Sequence, residues 1–391
     1  MRRARQAVIV AARRTPVAPR GGALAQFQAD ELAAPVFQAL LKEAGMSAER
    51  VEQVVMGNAL YGGGNPARLA SLRAGLPVST PAMTVDTQCC SGLDAILHAA
   101  RLIESGSAES VIAGGMESFS RSPIRAHRPR TSNEDPIPYN RPPFAPPPFN
   151  DPDLAEAAFQ LAQKRGYTRS LQAAYSVESH KKAQTQSAKD IMARELVSLP
   201  GINLASDPFI RSLSLKTALR ARVIAGDEEY GVCAATTAVE ADAAAAVLIL
   251  ERHRAQALGF QNALAIEDGC TLGHDPDLTP EVPIKAVAAL CSRHPDVDPQ
   301  TAYIELMEAY SSQAMAFVDA LALDPANVNV CGGALSRGHP IGASGAILVV
   351  RLFSLLTDRL TETSALHTAD IATIAAAGGL ATAALFKPCW R

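Results

Sequence analysis

Short apolar runs of strand length alternate with helical patterns in the first part of the chain. Ala7–Ala12 and Val54–Met56 are apolar runs as short as single strands. Asp30–Ala44 and Ser91–Ser105 instead carry apolar residues at the spacing of amphipathic helices. Such alternation is typical of βαβ units on a mostly parallel sheet. The sequence therefore predicts an α/β fold.

The same order of elements returns near the C-terminus. In the first half, Ser91-Gly92 opens a helix and the following strand runs into Gly114-Gly115. In the second half, Ser344-Gly345 opens the helix Ala346–Leu356, and the strand Ile371–Ala376 runs into another Gly-Gly pair. This repetition predicts a duplicated α/β half with a pseudo-twofold axis.

The middle of the chain has a different pattern. Ten of the 26 prolines fall between Pro123 and Pro152, too many for a helix or a central strand, which predicts an extended surface excursion. After it, Ser170–Ala193 has the pattern of one polar helix. Asp242–Leu250 has the pattern of a buried strand that returns to the sheet.

Composition argues against several classes of function. The 36 Lys and Arg residues nearly balance the 39 Asp and Glu residues, so the chain has no overall positive field for a nucleic acid. Its longest apolar span, Ala369–Phe386, is interrupted by polar residues and glycines and is too short for a membrane helix. We therefore expect neither nucleic-acid binding nor membrane insertion.

The seven cysteines are odd in number and scattered, without a Cys-x-x-Cys pair. This pattern argues against a disulfide framework and a structural zinc site, and it favours a reducing compartment, the cytoplasm. The eight histidines show no metal-ligand spacing such as His-Glu-x-x-His, so no metal site is expected.

Cys89 and Cys90 lie where a strand ends near Val85 and a helix begins at Ser91. At a helix N-terminus the unpaired N–H groups stabilise a thiolate, so this position predicts a lowered thiol pKa and a cysteine nucleophile. The pair would equally suit packing, because free cysteines are often small buried residues. Both interpretations stand at this point.

His339 lies on a glycine-rich loop between Gly338 and Gly342. Pro340 keeps the histidine out of helical geometry, and a helix follows. A histidine held in this way can be aimed at a cysteine from the other half of the chain. Taken alone, a histidine on a surface loop would have the same local pattern.

Together these segments resemble the thiolase family. The Cys89 segment and the run Gly338-His339-Pro340-Ile341-Gly342-Ala343-Ser344-Gly345 carry the resemblance most strongly, and it extends over most of the chain. The other matching segments are Val8–Val17, Asn65–Arg68, Ala113–Ser118 and Asn327–Val330.

The resemblance implies two duplicated βαβαβ halves in a five-layered αβαβα arrangement, with an inserted loop domain. The corresponding ranges are 1–117 with 239–263 for the first half, 118–238 for the loop domain and 264–391 for the second half. It also implies a homodimer or homotetramer that acts on acyl thioesters, usually of coenzyme A, without a bound cofactor. Cys89 would take the acyl group, and His339 would activate the thiol.

Several positions depart from the thiolase pattern. The family's second cysteine, an acid and base at the substrate α-carbon, corresponds to Ala375, whose methyl group cannot transfer a proton. Ala377 replaces a glycine of the loop that binds the acyl oxygen, while Gly378 is kept. The Asn-Glu-Ala-Phe motif begins with Met307 instead of the asparagine that holds an enolate-stabilising water, and it ends with Tyr310.

The coenzyme side differs as well. Leu154 falls in the segment that replaces a His-Met-Gly stretch, and Ala238 replaces the serine expected beside the pantetheine arm. The thioester donor could thus be an acyl-CoA or an acyl carrier protein.

Three interpretations remain open. The chain is a specialised acyltransferase or condensing enzyme, an ordinary thiolase in which Glu308, Tyr310 or His274 replaces the lost cysteine, or a catalytically weak subunit that supports a partner. We favour the first, because Cys89 and His339 are kept while groups for α-carbon chemistry are lost.

Two further residues are expected to be structural. His180 lies in the polar helix pattern and matches a surface-helix pattern of the family. Glu117, in Gly-Gly-Met-Glu-Ser, is expected to be a structural or interface carboxylate.

Overall fold

The structure is a computed structural model that describes residues 5–359 and 369–389. The predicted domain ranges 1–117 and 264–391 therefore include residues outside the described part. The strands are β1 (Ala7–Arg14), β2 (Ala18–Pro19), β3 (Gln53–Gly57), β4 (Ala82–Val85), β5 (Ser110–Glu117), β6 (Arg125–His127), β7 (Ile137–Tyr139), β8 (Val223–Ala225), β9 (Val232–Cys233), β10 (Ala241–Glu251), β11 (Ala263–Gly273), β12 (Tyr303–Leu306), β13 (Asp370–Ala376) and β14 (Leu380–Cys389).

The α-helices are α1 (Ala29–Ala44), α2 (Pro66–Arg73), α3 (Ser91–Glu104), α4 (Leu154–Arg165), α5 (Arg169–Ala183), α6 (Gln186–Glu195), α7 (Leu215–Leu219), α8 (Arg252–Ala257), α9 (Val282–Arg293), α10 (Ser311–Ala320), α11 (Ala334–Arg337) and α12 (Ile341–Arg359). Short 3₁₀ helices cover Ala48–Arg50, Pro276–Glu281 and Pro325–Asn327. Of the helices in the described residues, none combines the length and the apolar character that crossing a bilayer requires.

The two halves of the sheet repeat one strand order. The first half runs β4-β3-β5-β10-β1 and the second runs β12-β13-β14-β11. In each half, a parallel pair (β3 with β5, β12 with β13) is followed by two antiparallel pairs. A parallel bridge between Ile304 and Val328 takes the place that β4 has in the first half. The duplication predicted from the sequence is confirmed.

Helices α3 and α12 lie between the two halves of the sheet. α12 packs on β5, β10 and β13, and α3 packs on β3, β5, β11 and β14, so each helix contacts strands of both halves. α1 and α2 cover the outer face of the first half, and α9 and α10 cover that of the second. The result is the expected five-layered αβαβα arrangement.

The N-terminal ends of α3 and α12 cross at very short range. A Cβ on Gly345 would lie only 2.6 Å from the backbone nitrogen of Leu93, so the crossing requires glycine there. Gly345 thus lies inside α12, which begins at Ile341 and not at the predicted Ala346. The loops that precede the two helices therefore meet at the centre of the molecule.

The segment between β5 and β10 holds α4 to α7 and two short antiparallel pairs, β6 with β7 and β8 with β9. Its Pro-rich part is mostly exposed. The prediction of one helix over Ser170–Ala193 is wrong, because the chain turns at Gln184 and the Thr185 hydroxyl accepts a hydrogen bond from the Ala188 N–H at 3.2 Å to start α6. The boundaries of this inserted domain stay predictions.

A fully buried cluster of charges connects this segment to both halves. The Arg14 guanidinium, from β1, donates to Glu195 at 2.8 Å and to both oxygens of Asp207 at 2.7 and 3.1 Å. Glu195, at the end of α6, also pairs with Arg351 of α12 at 3.0 Å. The four side chains are at most 1% exposed.

Candidate active site

Cys89 lies at the turn that leads into α3. Gln88 has a φ of 54°, in the left-handed region, and the Ser91 N–H bonds to the Gln88 carbonyl at 3.0 Å, which closes the turn. Cys89 is 9% exposed, whereas Cys90 is fully buried. The turn thus leaves one of the two adjacent thiols slightly exposed and buries the other.

His339 lies directly against Cys89. Its Nε2 is 3.1 Å from the Cys89 Sγ, and its Nδ1 is 2.6 Å from the Ser344 Oγ. The His339 N–H donates to the Val239 carbonyl at 2.7 Å, which fixes the loop from its other side. The sequence analysis did not identify Ser344 as a partner of the imidazole. The sequence signal for this contact is a hydroxyl five residues after the histidine.

The prediction of a lowered Cys89 pKa is wrong. Burial raises the pKa of Cys89 to about 12, although the backbone N–H groups of Ala377 and Cys89 itself hydrogen-bond the sulfur and act in the opposite direction. Burial also lowers the pKa of His339 to about 4. The two groups are therefore both neutral at neutral pH, and the imidazole is free to accept the thiol proton.

The loop after β13 faces Cys89. The backbone hydrogen bond from Ala377 to the Cys89 sulfur places that N–H where an acyl oxygen on the sulfur would accept it. Gly378 follows with a φ of 84°, and a Cβ there would lie 3.0 Å from the Phe144 carbonyl oxygen of the Pro-rich segment. Ala377 and Gly378 thus lie between the cysteine and the inserted segment.

Ala375 lies at the edge of this site. The Cys90 thiol donates to the Ile374 carbonyl at 3.4 Å on one side of it, and Ala377 contacts Cys89 on the other. Ala375 itself is half-buried. The structure therefore provides no proton-transfer group at this position.

Glu308 connects neighbouring loops and helices through hydrogen bonds to its carboxylate. Its carboxylate is buried and accepts hydrogen bonds from the Ser179 hydroxyl at 2.8 Å, the Asn329 amide at 2.7 Å and the Leu335 N–H at 3.2 Å. The preceding Met307 packs in the core of α3 and α12. The interpretation of Glu308 as a substitute base is not supported, because its oxygens are already occupied.

His274 is exposed, and its ring is directed to Lys285. Its backbone N–H donates to the Gly379 carbonyl at 2.7 Å, so the residue supports the acyl-binding loop through the main chain. The side chain of His274, the second candidate base, is therefore engaged with Lys285 at the protein surface.

Tyr310 directly precedes α10 and lies beside the short segment 237–240. Thr237 pairs with Tyr310, and the Ala238 N–H donates to the Ala309 carbonyl at 3.0 Å. Glu240 of the same segment pairs with His339. This segment therefore holds Tyr310 and the catalytic loop side by side.

Leu154 opens α4, and Asp153 caps that helix by accepting the Ala155 N–H at 2.8 Å. α4 packs on α10, where the Ser312 hydroxyl donates to the Ala158 carbonyl. Leu154 is thus brought to the end of α10 that carries Tyr310.

Asp94 links the Cys89 turn to the second half of the sheet. Its carboxylate accepts three threonine hydroxyls: Thr87 at 2.6 Å, Thr271 at 2.7 Å and Thr382 at 2.8 Å. Thr87 belongs to the Cys89 turn, and the other two lie on β11 and β14. Sequence reasoning missed this cluster, because its members are far apart in the chain.

Glu117 and His180 have the structural roles expected of them. The Glu117 carboxylate accepts from the N–H groups of Ala59 and Gly342 at 3.1 and 2.9 Å, which ties β5 to the start of α12, and burial raises its pKa to about 7. His180 is buried next to Phe209, and burial lowers its pKa to about 4.

Models of the two thiolase domains match nearly all of the chain. The model described as the thiolase N-terminal domain matches residues 7–253, and the model of the thiolase C-terminal domain matches residues 261–388. The chain belongs to the thiolase family. This thiolase is accordingly an acyltransferase. In the part of the chain that the structure describes, no group of three or more His, Cys, Asp or Glu side chains has the arrangement of a metal site.

Individual thiolases are similar over the full length. VraB of Staphylococcus aureus (strain MRSA252), provisionally named as an acetyl-CoA C-acetyltransferase, is 36% identical over 390 residues, which cover 97% of this thiolase and 99% of VraB. YhfS of Bacillus subtilis (strain 168), named in the same way, is 35% identical over 383 residues with the same coverage. The crystal structure of the Bacillus anthracis acetyl-CoA acetyltransferase matches with a TM-score of 0.89 and 26% identity over 98% of this chain and 99% of that one.

Proposed function

We propose that this thiolase takes an acyl group from an acyl-CoA thioester onto Cys89, with His339 as the base. The observation that carries the proposal is the 3.1 Å contact between the Cys89 Sγ and the His339 Nε2. Both groups are neutral, so the imidazole can accept the thiol proton as the sulfur attacks the thioester carbonyl. The pair is thus poised for transthioesterification.

The acyl oxygen becomes an oxyanion in this step. The N–H groups of Ala377 and Cys89 already hydrogen-bond the sulfur, and they would donate to the oxyanion that forms beside it. The tetrahedral intermediate then expels the CoA thiolate, which takes the proton from His339. The products are acyl-Cys89 and free CoA.

The names of the relatives favour acetyl-CoA and related CoA thioesters as donors, since VraB, YhfS and the Bacillus anthracis enzyme are all named as acetyl-CoA acetyltransferases. Leu154 and Ala238 depart from the residues expected beside pantetheine. An acyl carrier protein therefore remains the alternative donor, to be distinguished by experiment.

The second half of a thiolase reaction forms or breaks a carbon–carbon bond. Here Ala375 offers no proton-transfer group, and Met307 is packed in the core. We propose that this half is altered in the chain. A specialised acceptor, a substitute acid and base, and a supporting subunit are the three forms that the alteration can take.

We further propose a cytoplasmic homodimer. All seven cysteines are free thiols, as suits a reducing compartment. β4 forms an edge of the sheet, and the neighbouring α2 exposes Leu69 and Leu72, which supports pairing of two copies along this edge. Light scattering after size exclusion should give the mass of a dimer; twice that mass would indicate a tetramer, and a monomer would contradict the proposal.

Intact-protein mass spectrometry tests the acyl enzyme. The wild type, Cys89→Ser and His339→Ala are each incubated with a panel of acyl-CoA thioesters and with acyl carrier proteins. We expect acyl-CoA to add the mass of one acyl group to the wild type. Cys89→Ser should form no such thioester, and His339→Ala should gain the acyl group much more slowly. Labelling by carrier proteins alone would move the donor to that class, and no labelling by either would support the partner-subunit interpretation.

A further inference from the structure

Carbon–carbon cleavage requires an acid for the departing carbon. If acyl-Cys89 forms as proposed above, cleavage of a 3-ketoacyl thioester also releases an enolate, which must be protonated at its α-carbon. Among the three candidate substitutes for the missing cysteine, Glu308 is fully hydrogen-bonded and His274 is directed to Lys285. Tyr310 is the remaining candidate.

The backbone places Tyr310 at the site. Within the segment 237–240, Thr237 pairs with Tyr310 and Glu240 pairs with His339. The two pairings are thus three residues apart along one short segment, a length of ~10 Å if that segment is extended. This segment therefore brings Tyr310 to the neighbourhood of His339 and of the Cys89 thiol, which lies 3.1 Å from the His339 Nε2.

The Tyr310 hydroxyl is free to act. It has no hydrogen-bond partner among the described residues, and the residue is half-buried. Burial raises the pKa of Tyr310, and the negative charges that Asp153 and Cys89 would carry raise it further. The raised pKa keeps the phenol protonated at neutral pH.

We propose that the Tyr310 hydroxyl is the general acid that protonates the α-carbon of the departing acyl group, in place of the family's second cysteine. In this step the Cys89 thiol gives its proton to His339 as its sulfur attacks the 3-keto carbon, and the bond between that carbon and the α-carbon breaks. The electron pair goes to the α-carbon, which takes the Tyr310 proton. The products are acyl-Cys89, a shortened CoA thioester, protonated His339 and the Tyr310 phenolate.

The phenolate is then returned to its starting state. It takes the proton of an incoming CoA thiol, whose sulfur attacks acyl-Cys89 and releases the acyl group as acyl-CoA. The Cys89 thiolate that leaves takes its proton back from His339. Over the cycle, one 3-ketoacyl-CoA and one CoA give two acyl-CoA molecules, and every proton is accounted for. By microscopic reversibility, Tyr310 would act as the acid in cleavage and its phenolate as the base in condensation.

Tyr310→Phe tests this role. The variant removes only a hydroxyl that has no partner in the described structure, so the fold should be unchanged. Two readouts are compared in the wild type, in Tyr310→Phe and in a control, Tyr139→Phe, whose ring stacks on His127 at 4.4 Å on the inserted segment. The first readout is the acyl-Cys89 adduct from acyl-CoA, and the second is CoA-dependent cleavage of acetoacetyl-CoA.

We expect Tyr310→Phe to form the adduct within about twofold of the wild-type rate and to lose cleavage by about 100-fold or more. The control should match the wild type in both readouts. Adduct formation with undiminished cleavage in Tyr310→Phe would overturn the role of Tyr310 alone, as would a wild type that forms the adduct but does not cleave. A wild type that forms no adduct with any thioester would instead overturn the proposed function on which this role rests.

Discussion

Cys89 and His339 form a neutral pair, which makes a prediction about pH. Burial lowers the pKa of His339 to about 4, and the imidazole accepts a proton only while neutral. Acylation of Cys89 should therefore be nearly independent of pH between about 5 and 8 and should fall only as the pH approaches 4. Rapid-quench measurement of CoA release gives this profile. An acid limb near 6.5, the ordinary imidazole pKa, would show that His339 is not desolvated.

Ser344 holds the imidazole by its second nitrogen. Ser344→Ala removes the 2.6 Å contact to Nδ1, and the loss of one hydrogen bond, about 1 kcal/mol, should slow acylation by ~5-fold without changing KM. The matched control is Ser292→Ala, whose hydroxyl bonds only to a carbonyl of its own helix on the surface. Equal rates in the wild type and Ser344→Ala would mean that packing alone orients the ring.

The identity of the reacting pair could be predicted from the sequence, but its electrostatics could not. A cysteine before a helix and a histidine between glycines mark Cys89 and His339. The helix start suggested a lowered thiol pKa, whereas burial dominates and raises it. Burial depends on the helices and strands packed around the sulfur, which no local pattern shows. For the same reason, only the structure separates Tyr310 from Glu308 as a proton donor.

At the scale of elements, Asp94 couples the Cys89 turn to β11 and β14. Asp94→Ala removes the acceptor of three threonine hydroxyls, and we expect it to lower the free energy of unfolding by about 3 kcal/mol and to slow acylation. Urea unfolding and the adduct assay measure the two effects. Asp190→Ala, which loses one exposed bond from Gln186, serves as the control. Stability equal to that of the control would contradict the coupling.

The elements themselves were partly predictable. Alternating apolar runs identify the strands, and the predicted strand Asp242–Leu250 is β10, buried throughout. The predicted start of α12 at Ala346 is wrong, because the helix begins at Ile341 and Gly345 lies inside it, at the crossing with α3. The prediction of one helix over Ser170–Ala193 is wrong at Gln184. The polar pattern continues through this position, so it does not show that Thr185 caps a new helix. Both failures reflect contacts between distant segments or a backbone turn that periodicity does not encode.

At the scale of the whole molecule, Arg14 joins the first half to the inserted segment. Burial raises the pKa of Asp207, but the charge of Arg14 lowers it more, so the pKa lies below its ordinary value of 3.8. The pairing of Asp207 with Arg14 therefore stabilises the fold above pH 3.8, and this stabilisation is lost at lower pH. Arg14→Ala leaves the buried carboxylates with fewer partners. It should lower the free energy of unfolding, measured with urea, by about 3–5 kcal/mol. Arg20→Ala, which breaks an exposed pair with Glu240, should cost less than about 1 kcal/mol. Similar losses in both variants would contradict the importance of the buried cluster.

The central claim is that the two halves meet to place one specific thiol against one specific imidazole. The most direct test is peptide mass spectrometry of acid-quenched enzyme after exposure to acyl-CoA, with fragmentation that separates Cys89 from Cys90. We predict the acyl group on Cys89 in the wild type and equally in Cys90→Ala, because the Cys90 thiol is fully buried against Ile374. An acyl group on Cys90, or its loss in Cys90→Ala, would contradict the account.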